Sequence, residues 1–126
     1  MSLTRKSLAI VASVSLALGL AACNRDSAGD GSVTLSLSTQ TNPFFVQLRD
    51  GAQAKADELG ITLNIQDASD DASTQINQLN NAASAGAQVV IVNPTDSDAV
   101  VPAVEALNNA DIPVIAVDRS SNGGEV

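Results

Sequence analysis

The feature that most constrains the fold is an alternation between two hydrophobic periods along the chain. Four short segments are rich in β-branched residues: "VTLSLS" from Val33, "ITLNIQ" from Ile61, "QVVIVN" from Gln88 and "IPVIAVD" from Ile112. The first two alternate as strands do, and the third is a continuous apolar run, as expected of a strand buried on both faces. Pro113 stands near the start of the fourth, where a strand tolerates it. Between these segments the apolar residues recur at helical spacing. A first helix is predicted over 44–59, with Phe45, Leu48, Ala52, Ala56 and Leu59 turned inward. Asn42 suits its N-cap, Pro43 its first position and Gly60 its C-terminal stop. A second is predicted over 72–85, with Ile76, Leu79 and Ala83 as its stripe, caps among Ser69, Asp70 and Asp71, and Gly86 as stop. A third is predicted over 98–108, with Val100, Val101, Val104 and Leu107 inward and Pro102 in the first turn.

The strand segments start 24 to 28 residues apart, which fits successive βαβ units. The predicted fold class is therefore α/β: a doubly wound parallel sheet with right-handed crossovers and helices over both faces. No helical pattern follows the fourth strand in "SSNGGEV", which leaves that strand as an open edge. Residues 33–126 are expected to be part of a longer protein.

The N-terminus has a different character. Arg5 and Lys6 precede an apolar run from Leu8 to Leu18 and then small residues, the layout of a secretory signal over residues 1–22. The run is shorter than the ~20 apolar residues a membrane-crossing helix needs. It ends in "LAAC", Leu20 to Cys23, which resembles the lipobox of bacterial lipoproteins, where the Cys becomes the first residue and carries lipid. Cys23 is the only Cys and has no internal disulfide partner. The resemblance implies a domain tethered to a membrane surface through Cys23. "NRDSAGDGS", residues 24–32, is small and polar and reads as a flexible tether.

Composition removes several function classes. The chain has 126 residues, room for one modest domain, with 6 Lys and Arg against 14 Asp and Glu. Removal of residues 1–22 leaves 4 cations against the same 14 acids, a net charge of −10. Nucleic acid is not an expected partner, because phosphate binding needs clustered positive charge. The absence of His excludes His-based catalysis and His-ligated metal. No GxGxxG follows the first strand, no nucleophile–base pair is visible, and no EF-hand-like acidic run occurs. Neither an enzyme nor a cofactor is expected.

In open α/β sheets, ligands bind outside the carboxyl ends of the strands. The segments there are "TQTNPFF", "DASDD", "NPTDSD" and "DRSSNGG", all polar. Asp70, Asp71, Asp96 and Asp98 are expected to act mostly as helix caps and dipole partners. "NPFF" is harder to explain that way. Phe44 and Phe45 are the only aromatics of the chain. Adjacent helical residues point about 100° apart, so both cannot face the core equally. Phe45 joins the apolar stripe, and Phe44 is placed nearer the mouth of the sheet. An aromatic face suits the C–H face of a sugar ring, while Asn, Asp and Arg suit its hydroxyls. The alternative for the pair is a hydrophobic staple at the helix start. Asp118 and Arg119 directly follow a buried strand; the pair is either part of a site or a surface ion pair.

"TNPFFVQLRDGAQAKADELG", "VNPTDSDAV" and "IPVIAVDR" together closely resemble the ribose-binding proteins, sugar-binding subunits of ABC-type importers with the type I periplasmic-binding-protein fold. The resemblance runs from Val33 to Val126. It implies an N-terminal Rossmann-like lobe, incomplete here, of a two-lobed protein that traps a monosaccharide when a hinge closes and then docks on a membrane permease. It assigns sugar contact to Asn42, Phe44, Phe45, Asp118 and Arg119, and so moves Phe45 from the stripe toward the ligand. Family members run to about twice this length, and the second lobe, the hinge and the remaining ligands are missing here. The expected setting is extracytoplasmic and lipid-anchored, in the cell envelope or periplasm.

Other readings are distinguishable. Sugar-sensing transcription regulators share the fold but carry a basic helix-turn-helix ahead of it, where this chain has a signal and an acidic tether. A sensory protein that reports a sugar or an autoinducer-like ligand to a membrane receptor would look the same in sequence.

Overall fold

The computed structural model describes residues 31–126; the signal segment and Cys23 lie outside the described residues. Four strands alternate with three helices: β1 (Ser32–Leu37), α1 (Pro43–Leu59), β2 (Thr62–Asp67), α2 (Ala72–Ala85), β3 (Val89–Val92), α3 (Val101–Asn109) and β4 (Val114–Ala116). The sheet is fully parallel, in the order β2-β1-β3-β4. The first crossover runs from β1 to β2 on one side and the second returns past β1 to β3. The strand order thus reverses between β1 and β3, which is where a doubly wound sheet opens a crevice at its carboxyl edge.

The helix ends follow from their residues. Asn42 holds an extended conformation and its Oδ1 accepts from the Phe44 N–H at 2.9 Å, while Pro43 occupies a position whose N–H would have had no partner. α1 and α2 end in the same motif. Gly60 and Gly86 take left-handed φ values of 67° and 72°. The next residue in each case, Ile61 or Ala87, donates back to the carbonyl of Ala56 or Ala82 at 2.9 and 3.1 Å. α3 starts three residues later than the expected Asp98. Asp96 Oδ1 accepts from the Asp98 and Ala99 N–H groups and shapes residues 97–100 into a turn ahead of the helix.

One face of the sheet is well covered. Leu79, Ala82, Val90, Val92, Val100, Val104, Leu107 and Val114 form a continuous buried cluster between α2, α3 and strands β3 and β4. Below α2, β1 contributes Thr34 and Ser36 to this face, and both are buried. The alternation in "VTLSLS" therefore does not mark a solvent face: its polar side lies under a helix.

The opposite face corrects two expectations. α1 alone lies on it, and of its predicted inward stripe only Ala56 is buried. Phe45, Leu48 and Ala52 are half-buried and Leu59 is 57% exposed. Ile115, in register with Ile91 on this face, is 50% exposed. An open apolar groove of about 260 Å³ runs between α1 and the sheet, lined by Val33, Ala52, Leu59, Leu63, Val89 and Ile91 among others. A parallel sheet is stable with both faces covered, so the expected two-sided cover is met on one face and only partly on the other.

Two acids make a pH prediction. Asp71 caps α2, and its carboxylate is held below the usual range first by the backbone N–H of Thr74. Asp96 is lowered likewise by the N–H groups of Ala99 and Asp98, with a smaller contribution from the Arg119 charge. A depressed folded-state value means stabilisation that is present above the unfolded-state value, about 3.9, and lost as pH falls through the folded-state values. The urea midpoint is expected to be flat near neutrality and to fall below about pH 4. Asp71→Asn keeps a capping oxygen without a charge to titrate, and should flatten part of that fall.

Candidate functional site

The five residues singled out by sequence for ligand contact follow strands at the carboxyl edge of the sheet, in two groups. Asn42, Phe44 and Phe45 follow β1, and Asp118 and Arg119 follow β4. β3 lies between these strands, so β1 and β4, which lead into the two groups, are about 10 Å apart at a strand spacing of ~4.8 Å.

The first group is fixed by its loop. Thr39 Oγ1 lies 3.0 Å from Thr41 Oγ1 and accepts from the Thr41 N–H at 3.3 Å. Arg49 reaches back from α1 to donate to Gln40 Oε1 at 2.6 Å, and pairs with Asp50 at 2.7 Å. Asn42 commits its Oδ1 to the helix cap, so its side-chain NH2 is the end offered outward. The Phe44 and Phe45 rings meet edge to face, with centroids 5.1 Å apart and planes at 77°. Phe44 is 54% exposed and Phe45 half-buried, the placement expected from their spacing on the helix. A large aromatic left this exposed adds little to the core.

The second group is held in an unusual backbone. Asp118 has φ 64°, a left-handed value that most side chains avoid, and the Arg119 N–H donates to the Val117 carbonyl at 2.7 Å across it. That is a γ-turn, a strained three-residue reversal, and strain of this kind persists where the surroundings enforce it. Arg119 is not ion-paired to Asp118. Its Nη1 donates to the carbonyl oxygens of Pro94, at 3.2 Å, and of Thr95. Both side chains are exposed at the edge.

Between the groups lies a buried polar cluster that sequence reasoning passed over. Asn93, at the end of β3, bonds to Ser38 beyond β1 and to Val117 and Asp118 beyond β4. Gln75 on α2 donates to Ser36 Oγ at 3.2 Å and to the Asn93 carbonyl at 2.9 Å, and accepts from Thr95 N and Oγ1 at 2.8 and 3.1 Å. Both are 1% exposed. The available signal was position: Asn93 directly ends the most apolar strand of the chain. The expected caps divide. Only Asp71 acts as such; Asp96 shapes the turn ahead of α3, which has no side-chain cap, Asp98 accepts from Asn122 Nδ2 at 2.7 Å, and Asp70 takes a left-handed φ of 61°.

Aromatic, amide, carboxylate and guanidinium groups thus stand along the carboxyl edge of a doubly wound sheet, the edge at which sheets of this class bind ligands. Residues 33–126 match the periplasmic binding protein domain, and the chain belongs to that family. It is 44% identical over 109 residues to the ribose import binding protein RbsB of Haemophilus influenzae, covering 86% of this chain and 37% of that one. It is 34% identical over 133 residues to the ribose import binding protein RbsB of Bacillus subtilis, covering 97% of this chain and 43% of that one. Among solved structures it resembles the Caulobacter myo-inositol binding protein bound to myo-inositol, with a TM-score of 0.72 and 40% identity over 76% of this chain and 32% of that one. The chain therefore spans well under half the length of these relatives.

Proposed function

We propose that this chain supplies the N-terminal lobe of an extracytoplasmic binding protein that captures a monosaccharide, ribose first among them, for an ABC-type importer. The observation that carries the reading is the carboxyl edge at the β1/β3 reversal. An exposed Phe44, an outward Asn42 amide and the Asp118–Arg119 turn are there set on either side of β3. The aromatic face takes the C–H face of the sugar; the amide, carboxylate and guanidinium take its hydroxyls. Phe45 lies edge-on against Phe44 and completes the platform. The mechanism is capture without chemistry. A second lobe closes over the sugar, and the closed form is what the permease recognises. A lipid on Cys23 tethers the protein to the membrane surface.

Ribose is favoured by two relatives named as ribose import binding proteins, and the myo-inositol-binding relative marks one alternative class, a cyclic polyol. A thermal-shift panel of ribose, other pentoses, hexoses and myo-inositol on the complete protein tests the reading. Ribose is expected to raise Tm more than any other sugar at equal concentration, since ligand binding to the native state stabilises it by mass action. A panel with no shift would remove sugars as the ligand class.

Phe44→Ala gives a sharper test of the platform. The side chain is more than half exposed, so Tm should change little, whereas a buried Phe would cost ~3–5 kcal/mol of stability. Sugar affinity measured by calorimetry should fall several-fold. A large loss of stability with unchanged affinity would return Phe44 to a purely structural role.

A further inference from the structure

The central residue of the carboxyl edge is neither Phe nor Arg but Asn93. It directly follows β3, the strand between β1 and β4, and its amide is buried with every polar atom engaged. On one side Oδ1 accepts from Ser38 N at 3.2 Å and Ser38 Oγ at 2.5 Å. On the other, Nδ2 donates to the Val117 carbonyl at 3.1 Å and to Asp118 Oδ2 at 3.3 Å. Its own N–H donates to the Ser36 carbonyl at 2.8 Å, and its carbonyl accepts from Gln75 Nε2 at 2.9 Å.

This arrangement needs an amide of this length. An acceptor must face β1 and a donor must face β4. Aspartate would place a carboxylate against the Asp118 carboxylate, and an apolar residue would strand the buried Ser38 and leave Val117 with one partner fewer. The Val117 carbonyl is also the acceptor that closes the turn on which Asp118 stands. Asn93 thus holds both the left-handed turn and the side chain carried by it. With Oδ2 of Asp118 tied to the amide, Oδ1 is the oxygen presented to a ligand hydroxyl. The residues after Asn93 complete the clamp, because Arg119 bonds back to the Pro94 and Thr95 carbonyls.

We propose that Asn93 is a positioning residue for sugar recognition, fixing the Asp118 carboxylate and the turn that carries Asp118 and Arg119. The inference rests on the sugar-binding reading for its functional meaning, and its geometry is testable without it.

The experiment is a double-mutant cycle in the complete protein: wild type, Asn93→Ala, Asp118→Ala and the double variant, each titrated with ribose by calorimetry. Asn93→Ala is expected to weaken binding about ten-fold, the size of one lost charge-assisted hydrogen bond. On the Asp118→Ala background the same change should cost less than about two-fold, because the group it positions is already gone. A residue that merely stabilises the fold would give the same loss on both backgrounds, and that result overturns the proposal. In parallel, NMR scalar couplings report the Asp118 χ1 rotamer without ligand. A single rotamer in wild type that becomes averaged in Asn93→Ala supports positioning, and an unchanged population overturns it. Should Asn93→Ala fail to fold, Asn93→Asp keeps the volume and the acceptor toward Ser38, and is expected to displace the Asp118 rotamer by like-charge repulsion. A wild type that binds no sugar would defeat the functional reading alone, and the rotamer measurement would still decide the geometry.

Discussion

Arg119→Ala in the complete protein is expected to weaken monosaccharide binding by well over ten-fold while leaving the melting temperature nearly unchanged. The guanidinium is exposed at the sheet edge, so its removal leaves no buried cavity. Its Nη1 is anchored on the Pro94 and Thr95 carbonyls, which fixes the plane of the fork and directs its other donors. A charged donor lost from a closed, desolvated site costs ~1.5–3 kcal/mol, or roughly ten- to more than a hundred-fold in affinity. Arg119→Lys should recover only part of this, because an ammonium cannot reproduce a planar fork anchored at one end. Calorimetry gives the affinity and a thermal melt gives the stability. An Arg119→Ala protein that binds as tightly as wild type would make Asp118–Arg119 a structural turn with no ligand role.

Leu79→Ala is expected to have the largest effect on stability. Leu79 is fully buried in the cluster that joins α2, α3 and the β3–β4 side of the sheet. Truncation removes apolar burial and leaves a cavity among side chains held by three elements, a loss of ~2–5 kcal/mol. Against the ~5–15 kcal/mol of an ordinary domain, that is a large fraction. Urea unfolding of the complete protein measures it. A loss below ~1 kcal/mol would mean that α2 is not seated on the sheet as described.

How much of this was legible in the sequence depends on the range of the interaction concerned. The alternation of periods, the Asn-Pro start of α1 and the glycine stops of α1 and α2 are local, and they place those elements closely. The apolar period of α2 runs through Ile76, Leu79 and Ala83, whereas the buried face centres on Gln75, Leu79 and Ala82. A hydrophobic period counts Gln75 as solvent-facing. It is buried because its partners, Ser36, Asn93 and Thr95, come from other strands and loops. Asn93 was missed for the same reason: its partners lie 55 residues away at Ser38 and 25 away at Asp118. The α1 stripe was correctly periodic, yet periodicity says which face is apolar, not how much of it is covered. Leu59 and Ile115 show the difference.

The candidate site was legible in a different way. The helical angle between Phe44 and Phe45 implies that one is turned outward, and Phe44 is 54% exposed while Phe45 is half-buried. The left-handed backbone at Asp118 carries no sequence signature, since "VDRS" reads as the end of a strand running into a loop. The turn becomes visible only when Val117, Asn93 and Arg119 are seen together.

The central claim is that the carboxyl edge around β3 is half of a monosaccharide site. Calorimetric titration of the complete protein with ribose tests it most directly. The account predicts saturable binding of one sugar per protein, tighter for ribose than for other pentoses, hexoses or myo-inositol, and lost together with Asp118 and Arg119. Absence of heat with every sugar, or binding that survives replacement of both residues, would contradict it.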